Sequence, residues 1–284
     1  MECVQERFAA QATCWPGVLA VEAASSRALG RHTHDQFGIG LVLRGAHDSA
    51  SGRGDVRARP GELITVNPNE VHDGRPVCGM ARAWRMLYLD PPVIARHAVL
   101  LGLSPGAEFH HPVLGARGAA LAFLRLHAAL VDPVEGNDAA EQALLELLAQ
   151  LCGAPRTAGC ALPAAVQRAC ERIDAAPQAP AALEDLAREA GLSPWHFLRL
   201  FKARTGLPPH AYRLQRQLQG ARRALLAGRP IAQAALDAGF HDQSHFTRHF
   251  VRAYGLTPGA VARSASLICA PAATRPGSDR PRPR

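Results

Sequence analysis

The sequence predicts an α+β protein of two domains: an N-terminal β-barrel with following helices, then an all-α domain of two helix-turn-helix units joined by a long helix. Three observations carry this. Between residues 17 and 90, short apolar runs are broken by Gly, Pro, Asn and Asp every ten residues or so, the rhythm of a small all-β barrel or sandwich. From residue 163 onward the apolar residues recur at helical spacing, and one helical unit occurs twice. Charge divides at the same place: residues 163–284 carry 18 Lys and Arg against 8 Asp and Glu, whereas residues 1–162 carry 14 against 16. A basic half beside a nearly neutral half points to a polyphosphate partner for the former and a different task for the latter.

Residues 1–16 show no pattern. FGIGLVLRG (37–45) alternates, placing Phe37, Ile39, Leu41 and Leu43 on one face. GELITVNPNEVH (61–72) reads as a second strand ending in a Pro/Asn turn, and AWRMLYLD (83–90) as a third with Trp84, Met86 and Tyr88 on one face. Pro91 and Pro92 close the barrel. Helical patterns follow near 93–102, 115–131 and 138–152, the last with Leu144, Leu145, Leu148 and Leu151 on one stripe. Such helices either cover the open side of the barrel or form a dimer contact. The first domain is therefore set at 1–152, and the Gly/Pro/Ala-rich stretch 153–162 is expected to be a linker.

The helical half is organised around residues 235–258, ALDAGFHDQSHFTRHFVRAYGLTP. Gly239 supplies a tight turn between two helices. Asp242 can accept hydrogen bonds from the free N–H groups of the second. Phe246 and Phe250 face inward at i, i+4, leaving Gln243, Ser244, Thr247, Arg248 and Arg252 outside. Donors on one exposed helix, arginine among them, suit base edges in a major groove. Residues 187–209 repeat the spacing, with Phe197, Phe201, Gly206 and Pro209 matching Phe246, Phe250, Gly255 and Pro258. Here Trp195, Leu198, Arg199 and Lys202 are the outward candidates, Trp195 being equally compatible with half-burial against a neighbouring helix. Ser193-Pro194 is a good helix start. Residues 208–228 form one helix joining the units, opened by Pro208 and Pro209 and closed by Gly228. Its inner stripe is Leu214, Leu218, Ala221 and Leu225, and Arg216, Arg222 and Arg223 are left for solvent or phosphate. The Pro/Arg-rich end, 264–284, has nothing to bury and is expected to be disordered.

These residues resemble the double helix-turn-helix DNA-binding region of the AraC/XylS family of bacterial transcription regulators, over about 163–263. The second unit has the family's Ala235, Gly239, Phe240, Ser244, Phe246, Arg248 and Phe250, closed by Gly255, Thr257 and Pro258. Val261-Ala262-Arg263 stands where the family often has an aromatic–arginine pair, which bears on the packing of the last helix. HTHDQFGIGLVLRG with PGELITVNPNEVHDG resembles the cupin-like sensor barrel many such regulators carry. The resemblance implies promoter or operator DNA, a small-molecule effector in the barrel, a homodimer and RNA polymerase as partners, in the cytoplasm.

His32 and His34, at i, i+2, point the same way if 31–37 is extended, and a cupin barrel brings His72 nearby. Three imidazoles suit a divalent metal, the polar lining of an effector pocket, or structural hydrogen bonding. Enzyme cupins usually add a glutamate after the His-x-His pair, where this chain has Asp35 and Gln36. Arg44, Trp84 and Tyr88 complete the candidate effector residues. No cofactor is required by this reading. The alternative function is a metal-dependent cupin enzyme tethered to nucleic acid by the basic domain. No nucleophile elbow, phosphate loop or paired carboxylates support a catalytic centre. Seven scattered cysteines without C-x-x-C spacing read as reduced thiols, and no run approaches the ~18 apolar residues of a membrane span.

Overall fold

The computed structural model describes residues 6–133, 138–152 and 163–268. The expected linker, 153–162, and residues 269–284 of the expected tail lie outside them. Strands β1 (Arg7–Gln11), β2 (Val18–Ser25), β3 (Leu29–His32), β4 (Phe37–Arg44), β5 (His47–Ser51), β6 (Gly54–Ala58), β7 (Leu63–Val66), β8 (His72–Pro76) and β9 (Arg82–Leu89) build the barrel. β10 (Val113–Leu114) extends one edge. They form two antiparallel sheets, ordered β1-β2-β9-β4-β7-β10 and β3-β8-β5-β6.

Two sequence expectations are corrected. Residues 7–11 form an edge strand on β2, paired Arg7 to Ala24 through Gln11 to Ala20. Half-buried on a single neighbour, they need no strong alternation and left no pattern to read. Residues 61–72 are two strands rather than one, turning at Asn69 (φ 62°), so His72 opens β8 instead of ending β7. Gly40 is where β4 comes closest to its neighbours: a Cβ there would meet Ile64 Cγ1 at 2.9 Å and the Arg85 carbonyl at 3.1 Å.

Helices α1 (Pro91–Leu100), α2 (Arg117–Val131) and α3 (Asp138–Leu151) cover the larger sheet. Phe123, Leu126, Leu144, Leu147, Leu148 and Leu151 share a core with Ile39, Leu87 and Leu89. The buried stripe contains Leu147 where Leu145 was expected, and Leu145 is only half-buried. A helix turning 100° per residue brings 144, 147, 148 and 151 to one side.

The second domain comprises α4 (Ala164–Ala175), α5 (Leu183–Glu189), α6 (Pro194–Thr205), α7 (Pro209–Leu226), α8 (Ile231–Asp237), α9 (Gln243–Tyr254) and α10 (Pro258–Ile268). α10 carries the helix to residue 268, past the expected start of the tail at 264. Each unit keeps its own apolar logic, with different neighbours. Phe197 and Phe201 pack with Val166, Ile173 and Leu186 in a core belonging to this domain alone. Phe246 and Phe250 belong to a core that includes Leu218 and Leu225 of α7 and Val21, Trp84 and Met86 of the barrel.

α7 is buried on more than its leucine stripe. Gln215, Gln217, Gln219 and Arg222 are buried as well. The Thr33 amide donates to Gln215 Oε1 (3.2 Å), and Gln219 Nε2 donates to Thr33 Oγ1 (2.8 Å). Arg222 was expected at the surface, yet its side chain is 6% exposed. Arg216 is also turned inward, donating to Asn69 Oδ1, Tyr212 Oη and Asp174. Only Arg223 of the three keeps the predicted exposure. The polar side of α7 is a docking face for the barrel, which helical periodicity cannot distinguish from a solvent face.

Candidate functional site

Helices α6 and α9 start and stop by the same chemistry. Ser193 Oγ accepts from the His196 amide (3.3 Å) at the start of α6, and Asp242 Oδ1 from the His245 amide (2.7 Å) at the start of α9. Those bonds satisfy N–H groups with no partner inside a helix. The His245 amide, and then the contact with His241, hold the Asp242 carboxyl below the usual carboxylate range. Gly206 (φ 78°) and Gly255 (φ 72°) end the helices in the left-handed conformation.

Trp195 is 66% exposed and forms a flat platform for Arg199, whose guanidinium lies 4.5 Å from the ring centroid. Lys202 is exposed and Leu198 half-buried. On α9, Gln243, Ser244, Arg248 and Arg252 are exposed and Thr247 is half-buried. Sequence-predicted residues thus occupy the outer face of each helix. His245 and His249 lie one helical turn apart with Nε2 atoms at 3.1 Å, against Phe240. Burial, then His245, Arg248 and Arg252, lower the His249 pKa.

The helices differ in what faces them. Thr247, Arg248, Val251 and Arg252 form one wall of a cleft whose other wall is Phe8, Arg27 and Leu29 of the barrel. A Cβ on Gly255 would meet the Phe8 ring at 2.5 Å. The first unit touches the barrel at its C-cap, where Arg31 Nη1 donates to the Gly206 carbonyl (3.4 Å) and a Cβ would lie 3.2 Å from Val71. Its outward residues Trp195, Arg199 and Lys202 are exposed.

Inside the barrel is a small cavity of about 50 Å³, open at one side and lying between the two sheets. Of the candidate effector residues, His32, His72, Trp84 and Tyr88 line it. Their ring centroids are 4.3 Å apart, and His34 stands 5.0 Å from His72 and 6.3 Å from His32. His34 turns toward the helical domain instead. Arg44 is exposed at the end of β4, past a register shift between Val42 and Arg44, and is not among the residues lining this cavity.

The imidazoles are fixed in known tautomers. Nδ1 of His32 meets the Gly30 carbonyl at 2.8 Å, that of His34 the Gln36 carbonyl at 2.7 Å, and that of His72 the Glu70 carbonyl at 2.9 Å. A carbonyl only accepts, so each Nδ1 carries the proton and each Nε2 a lone pair. Burial keeps all three neutral: it lowers His32 to about 3 and His72 to about 4, and holds His34 well below its ordinary value. As placed, the three rings are unevenly spaced around any one point. Around a tetrahedral ion with bonds of about 2.0–2.1 Å, ligand ring centroids stand roughly 5 Å apart; 4.3 Å is too near and 6.3 Å too far. Among the described residues no three His, Cys, Asp or Glu side chains are set to hold a metal ion.

Sequence reading missed much of the lining. His47, Ser49 and Ser51 alternate along β5 and face the cavity, as does Thr65 of β7. Arg82, 1% exposed, donates from Nε to His47 Nδ1 (3.0 Å) and stacks on Trp84 at 4.7 Å. His47 therefore carries its proton on Nε2, and burial lowers its pKa to about 3. The spacing His47-x-Ser49-x-Ser51 was the available signal, a polar stripe at strand period.

Comparison with known proteins gives two family matches. Residues 16–151 match the AraC-like ligand binding domain, and residues 186–264 match a helix-turn-helix domain. YbfI of Bacillus subtilis, an HTH-type transcriptional regulator, is 28% identical over 221 residues, covering 75% of this chain and 80% of that one. The Right origin-binding protein of Escherichia coli is 41% identical over 86 residues, 30% of either chain. The structure of ToxT from Vibrio cholerae O395 superposes with a TM-score of 0.54 over 88% of this chain and 98% of that one. At 8% identity, that likeness is one of fold.

Proposed function

This chain belongs to the AraC family of helix-turn-helix transcriptional regulators, with a ligand-binding N-terminal domain, and from that membership we propose that the barrel controls DNA reading through α9 and leaves α6 free. Membership sets aside the tethered cupin enzyme. The carrying observation is that α9 rests on β3, the strand that brings His32 to the cavity: Tyr254, the last residue of α9, meets the His32 ring edge-on at 6.4 Å. A small-molecule effector between the two sheets bears on the strand under the second reading helix. It shifts the population of docked and released α9 by its difference in affinity for the two.

The target is double-stranded promoter or operator DNA, read in the cytoplasm. Arg199 and Arg248 are the base-reading arginines, with Lys202 on phosphate. A helix seated in a major groove about 12 Å wide is flanked by a phosphate strand on either side. In the docked form Phe8, Arg27 and Leu29 stand where one of those strands runs past α9. The exposed Leu121 and Leu124 of α2 offer a face for a homodimer, with RNA polymerase as a further partner at the promoter. No helix among the described residues is long and apolar enough to cross a membrane.

Selection of bound duplexes by the full-length protein tests the reading. α7 has 18 residues, and at 1.5 Å each its length of about 27 Å sets two boxes close to one helical turn, ~10 bp, apart. Inserting ~5 bp between the boxes turns one to the far side and removes specific affinity. Recovery with ~10 bp inserted would show that α7 does not fix the spacing.

A further inference from the structure

The barrel cavity sets both the size and the hydrogen-bond pattern of what it holds. A volume of about 50 Å³ is room for about four waters, at roughly 10–15 Å³ each, and so for a molecule of about four heavy atoms. Val56, Ile64, Val66 and Met86 supply apolar wall.

Two of the polar groups between them only accept. Nδ1 of His32 and of His72 donates to a backbone carbonyl, leaving on each Nε2 a lone pair with no donor among the described residues. Their rings stand 4.3 Å apart between centroids, and burial keeps both neutral. Buried polar groups are ordinarily paired, so two acceptors side by side require a molecule that donates twice. His47 and Ser51 have the opposite character. Arg82 Nε donates to His47 Nδ1 (3.0 Å), so His47 presents an N–H at Nε2, strengthened by the guanidinium behind it. The Ser51 hydroxyl accepts from the Arg53 amide (3.1 Å) and keeps its own O–H unspent among the described residues. Gly74 leaves the His47 edge open: a Cβ there would stand 3.0 Å from Nε2 and from Cε1. No left-handed φ requires glycine at 74, so its value there is the space it leaves.

Charge narrows the ligand further. Among the described residues no lysine or arginine lines the cavity, which disfavours an anion. Its two carboxylates are already held by arginines, Glu70 by Arg53 at 2.9 Å and Asp73 by Arg75 at 3.6 Å. Arg82 lies behind His47 and Trp84 with no carboxylate among its hydrogen-bond partners, so a cation would meet an uncompensated positive charge. We propose that the barrel effector is a small uncharged amide, of the acetamide or urea kind, whose carbonyl oxygen accepts from His47 Nε2 and Ser51 and whose NH₂ group donates to His32 and His72. This identification rests on the reading of the barrel as the effector domain. The amide pairs the ring that Tyr254 of α9 meets edge-on, which ties occupancy of the cavity to α9.

Calorimetric titration of the full-length protein with acetamide and urea tests it, both kept below about 20 mM, where urea does not unfold proteins. Acetone, acetate and acetamidinium have the shape of acetamide and lack, in turn, the donors, the donors and the neutrality, and the acceptor and the neutrality. One amide binds at one equivalent with a Kd on the order of 1 mM, within reach of four heavy atoms. It binds about tenfold or more tighter than each of the three mimics, since an unmatched buried partner forfeits roughly that factor. Gly74→Ala, whose methyl covers the His47 N–H, and His72→Phe, which removes one acceptor, each weaken binding about tenfold. Circular dichroism melting establishes that the variants fold; Ser51→Ala decides if neither does, and the comparison of mimics needs no variant. The proposal is overturned if neither amide binds, leaving water as the occupant, if any mimic binds as tightly, or if affinity is unchanged in the folded variants. Affinity for a duplex with the α9 box scrambled, measured with and without the amide, separates this identification from the control of α9. An amide that binds in this pattern without altering that affinity upholds the ligand and removes the control. A molecule of another class that alters it, where the amides do not bind, upholds the control and overturns the ligand.

Discussion

The two helix-turn-helix units share a phenylalanine pair, a side-chain N-cap and a left-handed glycine, yet among the described residues only the second has its core fused with the barrel. Phe197 and Phe201 sit in a core of α4, α5 and α6 side chains. Phe246 and Phe250 sit in one reaching from α10 through α7 to Trp84 and Met86. A repeated unit keeps its fold-determining residues, while the surface each copy meets decides whether a neighbouring domain can act on it. On the proposed function, the first unit is a fixed reader and the second the one open to control.

Core truncation should separate them most strongly. Phe250→Ala is expected to cost about 3–5 kcal/mol, lowering the barrel and helical transitions together in calorimetry. Phe201→Ala, of similar cost, should lower the helical transition and leave the barrel transition in place. One shared shift for both variants would erase the distinction.

Acid should sharpen it. Folded His32 titrates at about 3 and His72 at about 4, below the unfolded value near 6.5. Depressed folded values mean that the unfolded chain takes up the protons first. Stability is therefore full above about pH 6.5 and falls as pH drops from there toward 4, by on the order of 1 kcal/mol per pH unit for each imidazole. Because the His32 ring meets Tyr254 of α9, amide exchange at pH 5 should rise in α9 before α6, and His32→Phe should flatten the slope. Equal loosening of both helices would contradict the coupling.

Reading should be shared despite the different neighbours. Arg199→Ala and Arg248→Ala are each expected to lose ~1–3 kcal/mol on a selected duplex and much less on random DNA, measured by fluorescence anisotropy. Lys202→Ala should weaken both duplexes alike and reduce the salt slope by about one. The cap glycines give the smallest contrast. Gly206→Ala and Gly255→Ala each bear a left-handed penalty of about 1–2 kcal/mol. Gly255→Ala should cost more, because its Cβ meets Phe8 at 2.5 Å where that of Gly206 meets Val71 at 3.2 Å.

What the sequence made legible follows the same division. Phenylalanine spacing, caps and glycines are local, and they placed both reading helices and their outward residues. The strand alternation of Trp84, Met86 and Tyr88 likewise reports a face that the cavity uses. Contacts between domains carry no local period. Arg222 looks like any surface arginine of an amphipathic helix until Asp35 and Tyr254 come to meet it. Arg44 looked equally promising and points away. β1 escaped notice because an edge strand is half-buried, and the polar stripe of β5 because His, Ser and Ser at strand period also suit a solvated face.

The central claim, that the barrel governs the second reading helix and not the first, is tested most directly by scrambling each DNA box in turn. Affinity of the full-length protein for each scrambled duplex is compared with that for the intact one, in the wild type and in Phe8→Ala, which removes the ring set against Gly255 and Arg248. With α9 released, scrambling its box should cost more in Phe8→Ala than in the wild type, while the penalty for the α6 box stays unchanged. Equal change in both penalties, or none in either, would contradict the account.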